Sequence, residues 1–256
     1  MDHPAKSKSV SDIHSESWRI FTKNWQLIAG LASLPLLLDF LLLGFVFPDL
    51  QDLFVGQRQI DSFNQFSAQF VPYALISFLL GVMLSGALIL ALLKVVRGQT
   101  IEFSKALSQG IERFWELLSV STVIAVAIIM GVILLILPGL VAGFLLMFAV
   151  HARLDKQLSV GESLKLSYRL ASKNVRRSLV LLLGFIGIAV GVSVLTGVLV
   201  GTQSNLYSNL VSSLLAIPMS AYLSTTFTVA YVTFLDSTKH EKATGGKPKK
   251  GLEENA

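Results

Sequence analysis

The stretch ILLILPGLVAGFLLMFAVHARLDK, Ile133 to Lys156, decides how the chain is organised. Extended back to Leu117, it belongs to a run of 34 residues without a charge that ends at Val150. One straight helix of that length rises about 51 Å, against a hydrocarbon core of about 30 Å. The run is too long for one crossing. Pro138 removes a backbone donor and Gly139 permits a reversal, so the stretch is expected to hold a tight hairpin. Its outgoing span runs from about Trp115 to Leu137 and its returning span from about Gly139 to Lys156, with His151 and Arg153 snorkelling to the interface.

The rest of the 256 residues agree with a membrane solvent. Hydrophobic residues make up 53% and charged residues 14%, and the charges are clustered. Between Lys23 and Lys94 only Asp39, Asp49, Asp52, Arg58 and Asp61 occur, and between Arg177 and Asp236 there are none. A water-facing chain of this size needs a more even polar coat. Four further spans follow by the same arithmetic, at about 25–47, 70–93, 179–201 and 210–235, giving six. Residues 1–11 read as a flexible tail, 12–236 as the membrane domain, and the Lys-, Gly- and Glu-rich 237–256 as a disordered tail. The amino-terminal residues show no cleavable signal pattern, and the absence of cysteine excludes disulfides and thiolate metal sites.

Orientation follows from the cations. On alternating sides of six spans, 20 of the 21 Lys and Arg fall on the side of the termini and only Arg58 on the other. The positive-inside rule then predicts both termini in the cytosol and a multi-pass protein of the cytoplasmic (inner) membrane.

An internal likeness joins SWRIFTKN, Ser17 to Asn24, with SYRLASKN, Ser167 to Asn174. A weaker third copy is expected in IEFSKALSQGIERFW, with Ser108 and Ile111 in the places of Ser167 and Leu170. Three units of an amphipathic helix followed by a transmembrane hairpin are the economical organisation. The expected fold class is therefore all-α: a polytopic membrane protein with six transmembrane helices and interfacial helices on the cytosolic side. Wound as a helix, Val160, Leu164, Tyr168, Ala171 and Val175 form an apolar face opposite Lys165, Arg169, Lys173 and Arg176. Those four cations are the candidate lipid headgroup ligands, with anionic membrane lipids the expected partners and protein partners undetermined. No aromatic platform accompanies them, so nucleic acid is not expected.

The proline-glycine hairpin at Pro138 and Gly139, Asp155 after the returning span, and GESLKLSYRLASKNVRRSL together resemble the six-span membrane domain associated with some bacterial glycerophosphoryl diester phosphodiesterases, and related uncharacterised bacterial membrane families. The likeness covers most of residues 12–236. It implies an architecture only, because the metal-bearing catalytic barrel of the fused members has no counterpart in this sequence.

No hydrolase, nucleotide-binding or zinc-protease motif occurs, so no catalytic residue, cofactor or metal is expected. His151 and Asp155, four apart, read as a snorkelling pair, because a metal pair lacks a third ligand in view. Asp39 is the notable intramembrane polar residue, about 21 Å along its span from Trp25. Its carboxyl needs hydrogen-bond partners, for which Ser193, Thr196, Ser220 and Ser224 are candidates. The glycines Gly184, Gly187, Gly191, Gly197 and Gly201 of span five are expected to pack inside the bundle. The functional reading is a non-enzymatic integral membrane protein, a scaffold or lipid-associated homeostasis factor. Its rival is a small-solute or proton-coupled transporter using Asp39.

Overall fold

A computed structural model describes residues 9–47, 49–50, 63–200 and 206–244. Among the described residues there is no strand, and six helical stretches are long and apolar enough to cross a membrane: Trp25–Val46, Phe66–Val96, Phe114–Leu134, Leu137–Lys156, Val175–Leu195 and Leu214–Thr238. The chain is an all-α, six-span membrane protein. The outermost tails, Arg58 with most of the first long connection, and residues 201–205 with Gly201 lie outside the described residues.

The helices are α1 (Val10–Lys23), α2 (Trp25–Leu41), α3 (Phe63–Val96), α4 (Phe103–Glu112) and α5 (Phe114–Leu134), then α6 (Ile136–Leu146), α7 (Ala149–Lys156), α8 (Val160–Lys173), α9 (Val175–Val200) and α10 (Leu206–Thr244). A turn of π-helix, Leu42–Val46, extends α2 to complete span one, and α6 with α7 makes span four. Order begins sooner and runs further than expected at both ends. Ser9 caps α1, inside the expected tail, and α10 continues eight residues past Asp236.

The repeat is visible in the caps. Ser9 with Asp12 and Ser159 with Glu162 form matching capping boxes, each side chain satisfying a backbone N–H that the first turn leaves unpaired. The Ser159 hydroxyl and backbone N–H, both donating to it, hold the Glu162 carboxyl below its ordinary value of 4.5. At the other ends, Asn24 and Asn174 each donate Nδ2–H to a carbonyl four residues back, Ile20 and Leu170, at 3.0 Å. The next span starts at once in both cases. In the middle unit Arg113 takes the place of these asparagines, so the buried Ala106 and Gly110 of α4 correspond to Ser167 and Ala171. The expected register is corrected by two residues, since Ser108 and Ile111 are exposed.

Each amphipathic helix packs mainly on the even-numbered span before it: α4 on α3, α8 on α6 and α7, and α1 on α10, which closes the three units into a ring. Spans two, four and six are correspondingly more buried than one, three and five. Their core, including Leu92, Phe148, Tyr231 and Phe234, gathers at the end that carries the amphipathic helices and the cations, called below the basic end.

The hairpin of the opening stretch turns one step earlier than expected. Leu135 is extended (φ −168°, ψ 144°), and Pro138 already lies in the first turn of α6, where its missing N–H costs no hydrogen bond. Gly139 does not make the reversal. A Cβ on Gly131 would lie 2.7 Å from Gly139 Cα, and one on Gly139 would lie 2.4 Å from Val132 Cγ2, so the two glycines let the antiparallel helices touch backbone to backbone. In span five the expectation reverses: a Cβ added at Gly184, Gly187, Gly191 or Gly197 meets nothing within 4 Å. These glycines do not pack the interior.

Span four breaks at Met147 and Phe148. The buried Ser167 of α8 enters the break, accepting from Phe148 N–H at 3.1 Å and donating to Leu145 C=O at 2.8 Å. Ser17, its repeat counterpart, merely donates to Ile13 C=O in its own helix. Ser167→Ala is therefore expected to lower unfolding stability in mixed micelles by about 1–2 kcal/mol, since a buried N–H loses its partner, and Ser17→Ala by much less. Equal losses in the two variants would refute this asymmetry.

Candidate functional site

Three polar constellations lie on this scaffold. The first is a hub where the even spans meet at the basic end. Span two stops at Gly98, whose φ of 77° lets Gln99 N–H reach Lys94 C=O and Gly98 N–H reach Val95 C=O, each at 3.0 Å. Span four stops at Gln157, also left-handed, with φ 52°. These terminations place Arg97 and Asp155 side by side in an ion pair. The Asp155 side chain is 0% exposed and also accepts from the Tyr231 hydroxyl of span six at 3.0 Å, while Lys156 Nζ stands 3.4 Å away. Arg113 and Arg153 turn back to the carbonyls of Leu154 and Leu158. The cations at this corner therefore fasten chain ends as well as setting charge.

His151 does not snorkel. It is 6% exposed, ringed by Phe148 and Tyr231, with Nε2 3.2 Å from Thr228 Oγ1. The Thr228 hydroxyl donates to Ser224 C=O at 2.8 Å, so it accepts from His151 Nε2–H, and Nδ1 is a buried acceptor with no hydrogen-bond partner among the described residues. His151 and Asp155 thus bond in different directions and form no pair. Arg153 also departs from the interfacial expectation: it is half-buried against the turn that follows α7.

The second constellation surrounds Asp39, in the half of span one remote from the basic end. Ser77 of span two donates to Asp39 Oδ1 at 2.9 Å, and Tyr73 interacts with both residues. Tyr73 packs edge-on against Phe47, 5.9 Å between ring centres. The described partner comes from span two; of the expected hydroxyls, Ser193 and Ser220 bond instead to carbonyls of their own helices, Ala189 and Ile217, and the side chain of Thr196 lies outside the described residues. Asp39 is half-buried, and its geometry is that of a clasp between adjacent spans.

The third is a groove of about 610 Å³ on α8. Lys165, Arg169 and Lys173 line it together with Tyr168 and Ser172, and Leu146 and Leu164 supply apolar wall. Arg176, the fourth candidate cation, is exposed on α9 and does not line it. The faces of α8 also differ from expectation. Ser163, Ser167, Leu170 and Ala171 point inward, while Tyr168 and Val175 are at least half exposed. The apolar face expected of Val160, Leu164, Tyr168, Ala171 and Val175 is therefore divided, with Ala171 inward and Tyr168 and Val175 outward. A helix with small and hydroxyl-bearing residues inward is legible only once its partner is known, because apolar side chains are at ease on the lipid side as well.

Span six was under-read in the same way. Its hydroxyls, Thr225, Thr226 and Thr228, donate to the carbonyls of Ala221, Tyr222 and Ser224, so the most polar span is also the most buried. Tyr222 at its middle receives α1: its hydroxyl lies 3.0 Å from His14 Nδ1, and its ring packs edge-on with those of Trp18 and Phe21. Comparison with family models, curated proteins and solved structures gives no match, so the six helical crossings and these three constellations describe the chain as an integral membrane protein.

Proposed function

We propose that this is a non-enzymatic protein of the cytoplasmic membrane, with both termini in the cytosol, that associates with anionic lipid of the inner leaflet as a scaffold or lipid-homeostasis factor. The observation that carries the reading is the groove on α8, where Lys165, Arg169 and Lys173 stand beside Leu146 and Leu164. Cations beside apolar wall at the end of a membrane span suit the boundary between headgroups and acyl chains, where each basic residue contributes on the order of 1 kcal/mol toward an anionic surface. The distribution of Lys and Arg in the sequence supports the orientation. The likeness to the membrane domain of the glycerophosphoryl diester phosphodiesterases belongs to the same proposal, supported by the repeated helix-plus-hairpin unit.

The test is the lipid that accompanies the purified protein. Extracted in mild detergent, the full chain is expected to carry anionic lipid enriched over the source membrane, and Lys165→Gln with Arg169→Gln and Lys173→Gln is expected to abolish the enrichment. No enrichment in the unsubstituted protein would overturn the reading.

The transport alternative rests on the intramembrane carboxylate of Asp39. As a clasp, Asp39→Asn retains an acceptor for Ser77 and leaves solute fluxes in proteoliposomes unchanged. Loss of a flux in a folded Asp39→Asn protein would favour transport instead.

A further inference from the structure

We propose that the groove on α8 is a one-lipid site, in which the phosphate of a membrane phospholipid sits among Lys165, Arg169 and Lys173 and its acyl chain runs along Leu146 and Leu164. The inference rests on the lipid reading above and narrows it from attraction to a charged surface to a site of defined stoichiometry.

Size and lining agree with such an occupant. About 610 Å³ lies within the size range of small-ligand sites, and the groove is open rather than enclosed, so a lipid can enter it from the side. Lys165, Arg169 and Lys173 succeed one another at four-residue spacing, so they stack along one side of the helix. The planar Arg169 guanidinium offers paired donors to phosphate oxygens, and the Lys165 and Lys173 ammonium groups add charge on either side. Tyr168 and Ser172 bring hydroxyls into the same lining, which suits the ester and glycerol oxygens of a headgroup. Leu146 and Leu164 offer these oxygens nothing. Their place in the wall is explained by hydrocarbon, and a free phosphate or sugar phosphate would leave that wall unused.

The site is also held in place before any ligand arrives. Leu146 ends α6, directly before the break in span four that Ser167 bridges, so one hydroxyl fixes the distance between the two walls. The capping box at Ser159 and Glu162 anchors the start of α8, and Asn174 anchors its end. Side chains carried on a helix fixed at three points lose less freedom on binding than those on a loose surface. Arg176 supplies an internal comparison: the same charge, a few residues away, outside the groove.

Native mass spectrometry of the full chain, released from phosphatidylcholine nanodiscs doped with phosphatidylglycerol, tests the proposal. One phosphatidylglycerol per chain is expected to persist through activation, and its retention to fall about tenfold in Arg169→Gln, as paired charge-assisted bonds are lost, and by less in Lys165→Gln, which removes a point charge. Arg176→Gln is expected to leave retention of that one lipid nearly unchanged, because Arg176 stands outside the groove and its attraction to the anionic surface is diffuse. Leu164→Ser should weaken retention without altering charge, and millimolar glycerol phosphate should not displace the lipid. Equal effects of Arg169→Gln and Arg176→Gln, both erased by salt, would overturn the site while leaving the broader lipid reading in place. Displacement by glycerol phosphate would overturn the lipid as occupant in favour of a soluble phosphate. Absence of retained phosphatidylglycerol in the unsubstituted protein would overturn both.

Discussion

Arg97→Ala is expected to destabilise the folded protein by about 2–3 kcal/mol, measured by denaturant titration in mixed micelles. The loss is large because the partner left behind is Asp155, whose side chain is 0% exposed. Removing one member of a buried ion pair typically costs about 3–5 kcal/mol, since the other remains desolvated and uncompensated. Here the cost is reduced because Tyr231 still donates to Asp155 and Lys156 remains near. Asp155→Asn should cost less, about 1–2 kcal/mol, because Arg97 is 40% exposed and can turn to solvent. The double variant is expected to be less destabilised than the sum of the singles, and the difference measures the coupling. Full additivity would show that the hub contributes no pairwise stabilisation. Arg97, Asp155 and Tyr231 come from spans two, four and six, so the hub joins all three repeat units at one point.

Among the described glycines, Gly131→Ala is expected to be one of the most damaging additions of a single methyl. Its new carbon would stand 2.7 Å from both Gly139 Cα and Gly139 N and 3.0 Å from Pro138 C, all backbone atoms, so no side chain can rotate away. The helices of the hairpin must separate, at about 3 kcal/mol, the upper end for overpacking. Gly184→Ala is the matched control, because a methyl there meets nothing within 4 Å. Its effect is expected to stay within about 0.5 kcal/mol, with alanine's better helix propensity in its favour. Both are read by the same micellar titration. Comparable losses at the two positions would show that span five packs against something within the folded monomer and would remove the asymmetry between the spans.

The same contrast shows where the sequence misleads. Gly187 and Gly191 have the spacing of a close helix contact and make none with the described residues, whereas Gly131 and Gly139 face each other across a turn, where no spacing rule within one helix applies. Asp39 was legible as a carboxyl in need of partners, but Ser77 and Tyr73 lie one span on, after a long connection, and nothing local singles them out among the hydroxyls of the bundle. His151 illustrates a different failure. Its place near a span end, beside charges, reads as interfacial, yet the core is deepest at the basic end, so a residue there is buried by protein.

Sequence by itself determined the six crossings, the segregation of cations to one side and the likeness of Ser17–Asn24 to Ser167–Asn174. Each of these depends on residues within a few turns of one another: an apolar window of membrane length, a short pattern of polar residues before it. Only the tertiary structure decided which spans stand at the centre, that Asp155 meets Arg97 58 residues away and Tyr231 76 residues away, and that α8 turns its serines inward and its cations toward a groove. The physical reason is the solvent. In water, burial of apolar side chains tells inside from outside, and periodicity reports it; in lipid both sides accept leucine equally, so close packing and the matching of buried polar groups between distant segments make the choice.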